Sequence, residues 1–276
     1  MTLVNANGAS IPSLGFGTFR MEAADTERMV SHVLKQGYRH IDTAQIYGNE
    51  AAVGQGIKAS AIPRPDVFLT TKVWVANYGR DAFLASVDES LKKLQTDYVD
   101  LLLLHWPNTA VSLEEQIAAL NDVAKAGKAR HIGVSNFNTT LMKEAARLSR
   151  LPLTNNQVEY HPYLDQRPVI TTARELGMSI TAYYAMADGK VLGDLALQAI
   201  AAAHQRSVAQ IVLRWIVQQG FVTLSKTVSE VRAAENAAIF DFELSADDML
   251  AIATIAHTNG RIVSPDGLAP EWDVLG

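Results

Sequence analysis

Short runs of β-branched and aliphatic residues recur along this chain, spaced so that one helix fits between each pair. The runs are Leu14–Thr18, His40–Ala44, Val67–Val73, Val99–His105, His131–Ser135, Thr154–Glu159, Ser179–Tyr184 and Phe221–Lys226. Each is short and largely apolar, as a strand covered on both faces requires. Between them, apolar positions fall at helical spacing. Leu84, Val87, Leu91 and Leu94 share one face, as do Leu113, Ile117, Leu120 and Ala124. Ser112 with Glu115 reads as a capping box and Gly127 as a helix stop, and Ser245 with Asp248 opens the last helix in the same way. Strand and helix alternating eight times predicts an α/β fold: a closed parallel (β/α)8 TIM barrel rather than an open sheet. No Ser- or Pro-rich linker divides the chain, so residues 1–276 read as a single domain. Ahead of the first strand, Asn7-Gly8 between apolar flanks predicts a hairpin closing the bottom of the barrel. From Gly260 onward, Pro and Gly replace periodicity, and a loop is expected.

Composition narrows the partners. Net charge is −5 with a sequence pI near 5.8, and no basic stripe stands out. Neither nucleic acid nor an anionic membrane is therefore expected as a partner. Cys is absent, which excludes disulfides, thiolate catalysis and Cys-ligated zinc. His32, His40, His131, His204 and His257 show no ligand spacing, so no metal is expected, and His161 reads as a structural loop residue. The first residues lack the basic and apolar regions of a signal peptide, and the run Val99–Leu104 is too short to cross a bilayer. A cytoplasmic protein is expected, acting as a monomer on a small molecule.

The chemistry lies at the strand tips. Asp42, Lys72 and His105 stand at the ends of three successive strands, and Tyr47 follows Asp42 by five residues. That is where a β/α barrel carries its active face. A tyrosine of ordinary pKa, about 10, protonates an alkoxide poorly at neutral pH. A neighbouring ammonium would acidify it, and a carboxylate would hold the ammonium charged. Lys72 and Asp42 suit those parts, while His105 can hydrogen-bond a substrate oxygen.

The segment Gly37-Tyr38-Arg39-His40-Ile41-Asp42-Thr43-Ala44-Gln45-Ile46-Tyr47-Gly48-Asn49-Glu50 resembles the signature of the aldo-keto reductases, and the resemblance spans essentially the whole chain. The tail from Arg261 to Asp273 is most similar to the bacterial 2,5-diketo-D-gluconate reductases of the B type. The resemblance implies carbonyl reduction by hydride transfer from NADPH, with Asp42, Tyr47, Lys72 and His105 as catalytic tetrad. Expected substrates are keto-sugar acids, dicarbonyls and short aldehydes, such as 2,5-diketo-D-gluconate or methylglyoxal.

Cofactor and substrate positions follow. Gly15-Phe16-Gly17 lacks the third glycine of a Rossmann fingerprint, Arg20 standing in its place, so a dinucleotide must be held by loops. Ser135, Asn136 and Gln157 offer donors and acceptors for a carboxamide, and family likeness assigns them to the nicotinamide amide with Tyr183 stacking on the ring. Lys226, Thr227 and Arg232 follow the last strand where a helix opens, which suits a ribose 2′-phosphate. The family uses positions matching Glu235 and Asn236 for the adenine. Two departures stand out. Ser225-Lys226-Thr227 replaces the family's Pro-Lys-Ser, and Tyr184-Ala185-Met186 replaces Ser-Pro-Leu, so backbone N–H groups would have to take over a serine's contact to the pyrophosphate. Phe19, Trp74, Trp106 and Trp272 are candidate pocket walls, and the tail from Gly260 to Gly276 is expected to cover them.

Overall fold

A computed structural model describes residues 1–257 and 260–273. Two strands, β1 (Leu3–Ala6) and β2 (Ala9–Pro12), pair antiparallel. Eight more follow: β3 (Leu14–Gly17), β4 (His40–Asp42), β5 (Phe68–Val73), β6 (Val99–Leu104), β7 (Ala129–Ser135), β8 (Leu153–Glu159), β9 (Ser179–Tyr183) and β10 (Val222–Ser225). They close into one parallel barrel in the order β10-β3-β4-β5-β6-β7-β8-β9. The helices are α1 (Ala23–Lys35), α2 (Glu50–Ser60), α3 (Arg80–Leu94), α4 (Leu113–Lys125), α5 (Thr139–Leu148), α6 (Arg167–Glu175), α7 (Leu195–His204), α8 (Val208–Gln218), α9 (Glu230–Ala237) and α10 (Ala246–Ala253). The (β/α)8 barrel expected from the alternating pattern is the observed architecture.

Several strands end one or two residues earlier than the apolar runs suggest. Thr18, His105 and Tyr184 leave the ladder, although Thr18 N still donates to Asp42 O at 3.0 Å and His105 N to Val73 O at 3.2 Å. Tyr184 turns away in the left-handed region at φ 61°. Thr18 and His105 therefore remain tied to the barrel just past its ladder.

Period-two alternation places the chemistry. Leu102 and Leu104 of β6 belong to the large core between barrel and helices, whereas Leu101 and Leu103, equally buried, lie outside that cluster and point into the barrel. On β4 and β5 the inward set includes His40, Asp42, Thr70 and Lys72. His40 Nε2 meets Thr70 Oγ1 at 3.1 Å inside the barrel. Register sets Asp42 beside Gly17 and Thr70, and Lys72 beside Leu103. Burying four polar side chains in this way is tolerable only because they satisfy one another.

The hairpin lies at the opposite end. Asn7 (φ 42°) and Gly8 (φ 87°) form the left-handed turn that an Asn-Gly pair supports. Asn7 Nδ2 donates to Leu153 O at 2.7 Å and Leu176 O at 3.0 Å, and Ile11 packs with Val222 and Phe68 at strand starts. It therefore closes the N-terminal mouth. Of the two capping boxes, Ser245 and Asp248 make both reciprocal bonds. Ser112 caps Glu115 N, but the Glu115 carboxylate turns to Arg80 N at 3.3 Å instead of completing a box.

Candidate active site

The four tip residues converge. Lys72 is wholly buried, and its Nζ donates to Asp42 Oδ1 at 2.6 Å, Thr43 O at 2.9 Å and Tyr47 Oη at 3.3 Å. An ammonium has three hydrogens, and here each has an acceptor. The Tyr47 oxygen is thus the acceptor in its bond with Lys72, which leaves the phenolic hydrogen free to be donated elsewhere. The Tyr47 ring packs edge-on against His105 at 5.7 Å, and His105 against Trp74 at 5.3 Å.

Electrostatics correct one expectation. Burial pushes the Tyr47 phenol well up, and the Asp42 carboxylate adds to the effect. Burial also draws Lys72 down against the pull of Asp42. The expected acidification of Tyr47 by Lys72 is outweighed, because the ammonium is shared with a carboxylate and a carbonyl while the phenol sits in a dry site. Tyr47 therefore stays protonated at neutral pH, the state an acid requires. Burial, then the Lys72 charge, draws His105 well below the usual imidazole range. It is neutral at pH 7. Its Nδ1 is buried without a partner among the described residues, so a proton there would be an orphaned donor. The tautomer with hydrogen on Nε2 avoids that and presents a donor to the pocket.

A polar chain leads inward from the tetrad. Gln157 Nε2 donates to Asp42 Oδ2 at 2.8 Å. Asn136 Nδ2 donates to His105 O at 3.0 Å and Ser135 Oγ at 3.1 Å, and its Oδ1 accepts from Tyr183 Oη at 2.7 Å. Ser135 Oγ in turn donates to Gln157 O at 2.8 Å. The four candidates for a nicotinamide site thus form one network touching two tetrad members. Lys226 and Arg232 are exposed at the entrance to α9 and form no ion pair among the described residues. Thr227 Oγ1 accepts from Ser229 N at 3.1 Å, and Ser229 caps the helix through Arg232 N. Glu235 and Asn236 are half-buried on the same helix.

The profile of the Aldo/keto reductase family matches residues 13–257. Methylglyoxal reductase DkgB of Escherichia coli O157:H7 is 43% identical over 267 residues, covering 96% of this chain and all of that protein. The chain belongs to the aldo/keto reductase family. Among solved structures, a protein provisionally described as 2,5-diketo-D-gluconic acid reductase B superposes with a TM-score of 0.98 at 62% identity, covering 99% of this chain and 98% of the other. A variant of Gox0644 in complex with NADPH gives 0.90 at 33% identity, covering 95% and 96%.

The family signature contains supports that residue-type reasoning missed. Gln45 Oε1 accepts from Trp74 N and Asn77 Nδ2, both at 2.9 Å, while its Nε2 reaches Ser86 and Ser90 on α3. Asn49 Nδ2 donates to Thr18 O at 2.8 Å and Met21 O at 3.1 Å. Buried Glu50 accepts from Thr71 Oγ1 at 2.6 Å and Ser90 Oγ at 3.1 Å. These three amides and acids lock the turn that carries Tyr47 between β3, β5 and α3. Their spacing after Asp42 was the available signal.

The candidate pocket walls separate by burial. Phe19 is 43% exposed with its ring 5.0 Å from that of Tyr47, whereas Trp106 is 6% exposed. Trp106 packs edge-on against Trp272, with ring centroids 6.5 Å apart. Tyr184, in place of the family's serine, accepts from Arg20 Nη1 at 3.3 Å, joining the loops after β3 and β9.

The tail crosses this face. Glu159, fully buried at the tip of β8, accepts from Ile262 N at 2.7 Å, Val263 N at 2.9 Å and His161 Nε2 at 2.9 Å. A Cβ on Gly260 would run into the Tyr163 carbonyl oxygen, so only glycine lets the tail approach so closely. Arg261 stacks over Trp272 at 3.5 Å, and Asp273 accepts from Thr139 N at 3.0 Å and Thr139 Oγ1 at 2.6 Å. The segment is thus fixed at both ends. Val274, Leu275 and Gly276, the end of the expected lid, lie outside the described residues.

Proposed function

We propose that this chain is a cytoplasmic, monomeric, NADPH-dependent reductase of small polar carbonyl compounds, with methylglyoxal-like dicarbonyls and keto-sugar acids as the substrate class. The observation that carries the reading is the Lys72 ammonium with all three hydrogens placed, which leaves the Tyr47 proton to a substrate oxygen. Relatives acting on methylglyoxal and described for 2,5-diketogluconate support the substrate class.

The donor set suits the cofactor. Gln157 keeps a side-chain carbonyl without a partner among the described residues, and Lys226 and Arg232, which form no ion pair among those residues, stand where a 2′-phosphate would be held. NADPH held there would supply the hydride that carbonyl reduction needs. Tyr47 donates its proton to the oxygen, Lys72 stabilises the charge left on the phenol, and Asp42 keeps Lys72 in place. His105, through Nε2–H, orients the carbonyl. Phe19, Trp74 and Trp272 exclude water from the reacting atoms.

A panel of carbonyl compounds assayed at fixed NADPH, then at fixed NADH, tests this. Short dicarbonyls and keto acids should be reduced with NADPH strongly preferred. Turnover confined to bulky apolar ketones, or no consumption of NADPH, would refute it.

A further inference from the structure

Asp42 has two carboxylate oxygens, and the tetrad uses only one. Oδ1 takes the Lys72 ammonium at 2.6 Å, while Oδ2 takes Gln157 Nε2 at 2.8 Å. The second bond crosses the barrel, since β4 and β8 stand four places apart in the eight-stranded order and so face one another. Both side chains are only 2% exposed.

An ionised carboxylate can only accept hydrogen bonds. The end of the Gln157 amide that faces Asp42 must therefore be its NH2. A flipped amide would set oxygen against oxygen in a dry site. The carbonyl Oε1 is consequently aimed away from Asp42, where it has no partner among the described residues. Asn136 differs. Its amide is oriented by the backbone carbonyl of His105, an acceptor whatever the charge state of the tetrad, and its oxygen is already taken by Tyr183.

We propose that Asp42 has a second role: through Gln157 it fixes the polarity of the carboxamide site, so that affinity for the nicotinamide end of the cofactor depends on the Asp42 charge. The inference rests on the NADPH reading above and deepens it. Gln157 is a positioning residue on the protein side of this link and presents an acceptor to a carboxamide NH2 on the other. One carboxylate thereby holds the lysine that supports the Tyr47 proton donor and sets the orientation of the cofactor amide.

Binding rather than turnover tests it, by calorimetric titration of the full chain with two probes. NADP⁺ carries the nicotinamide. Adenosine 2′,5′-bisphosphate carries the 2′-phosphate end alone. In Asp42→Asn the amide oxygen must face the Lys72 ammonium, so its NH2 faces Gln157 and compels the Gln157 amide to turn its oxygen inward, away from the cofactor. The variant's Kd for NADP⁺ should rise about tenfold, the effect of about one hydrogen bond, with the bisphosphate Kd unchanged. Gln157→Leu should show the same selective loss, and the double variant should lose little more than either single one. Tyr47→Phe, which leaves the Asp42–Gln157 bond intact, should bind both probes as the parent does. Should Asp42→Asn fail to fold with the Lys72 charge left unbalanced, Asp42→Asn with Lys72→Met removes both charges and predicts a smaller loss, again confined to NADP⁺. An unchanged NADP⁺ affinity in the folded variant, an equal loss of both probes, or full additivity with Gln157→Leu each overturns the inference. A parent protein that binds neither probe overturns the cofactor reading instead.

Discussion

Lys72→Met isolates the part of the site that the geometry makes most demanding. The side chain is fully buried, and its removal leaves the Asp42 carboxylate, also buried, without its cationic partner at 2.6 Å. Removing one member of a buried pair costs about 3–5 kcal/mol, because the charge left behind is neither solvated nor matched. For a chain of this size each kcal/mol lowers the melting temperature by about 2–4 °C, so a drop of about 6–20 °C is expected. Gln157 still donates to the other Asp42 oxygen, which favours the lower half of that range. The Tyr47 oxygen also loses its Lys72 donor at 3.3 Å, so phenolate formation goes uncompensated and kcat should fall by about 10²–10⁴. Thermal melting and single-turnover NADPH oxidation at pH 7 read the two effects separately. Lys72→Met with Asp42→Asn should recover much of the stability but none of the rate, since the buried charge is gone and the ammonium is still missing. A single variant melting with the parent, or a double variant less stable than the single one, would refute the buried-pair reasoning.

Other consequences are as direct. Lys226→Ala or Arg232→Ala should weaken NADPH by about ten- to a hundredfold through a lost charged hydrogen bond and leave NADH nearly unchanged; equal losses in a titration would contradict a 2′-phosphate site. Deleting residues from Ser264 onward removes Trp272 and the Asp273–Thr139 contacts but keeps Ile262 and Val263 on Glu159. KM values and substrate ranking should change strongly, with NADPH affinity and melting temperature little altered, and unchanged KM values across several carbonyls would remove the lid role. Burial draws His40 down from 6.5 to about 4. The unfolded chain then binds the extra proton between those values, so stability is full above about pH 6.5 and lost as pH falls toward 4, by about 3 kcal/mol. Denaturant unfolding of the parent and of His40→Gln at pH 7 and 4.5 should show the parent losing more, and equal losses would exclude this group.

Most of the fold was readable because a barrel strand covered on both faces leaves a short apolar run, and eight such runs with helical spacing between them have few other solutions. What the runs could not show was where each strand ends. Thr18, His105 and Tyr184 look like strand in sequence, yet they sit on the rim where the ladder gives way to loops. Asp42, Tyr47, Lys72 and His105 were legible as an ordered set at and just past successive strand tips, since each alone reads as a structural ion pair or strand end. Glu159 was not, since a carboxylate closing β8 reads as a solvated strand end until the tail, about a hundred residues later, brings two backbone N–H groups to it. The Tyr47 phenol was misjudged for a related reason. Residue types alone show a lysine nearby, whereas its effect depends on how dry the site is and how far the ammonium is already engaged.

The central claim is that Tyr47 delivers the proton. Stopped-flow single turnover of NADPH with methylglyoxal, comparing the parent with Tyr47→Phe at saturating cofactor, tests it most directly. Loss of the one hydroxyl whose hydrogen Lys72 leaves free should slow reduction by about 10²–10⁴ while the Kd for NADPH stays within about twofold. A Tyr47→Phe enzyme that turns over at a rate close to the parent's would show that the proton comes from elsewhere.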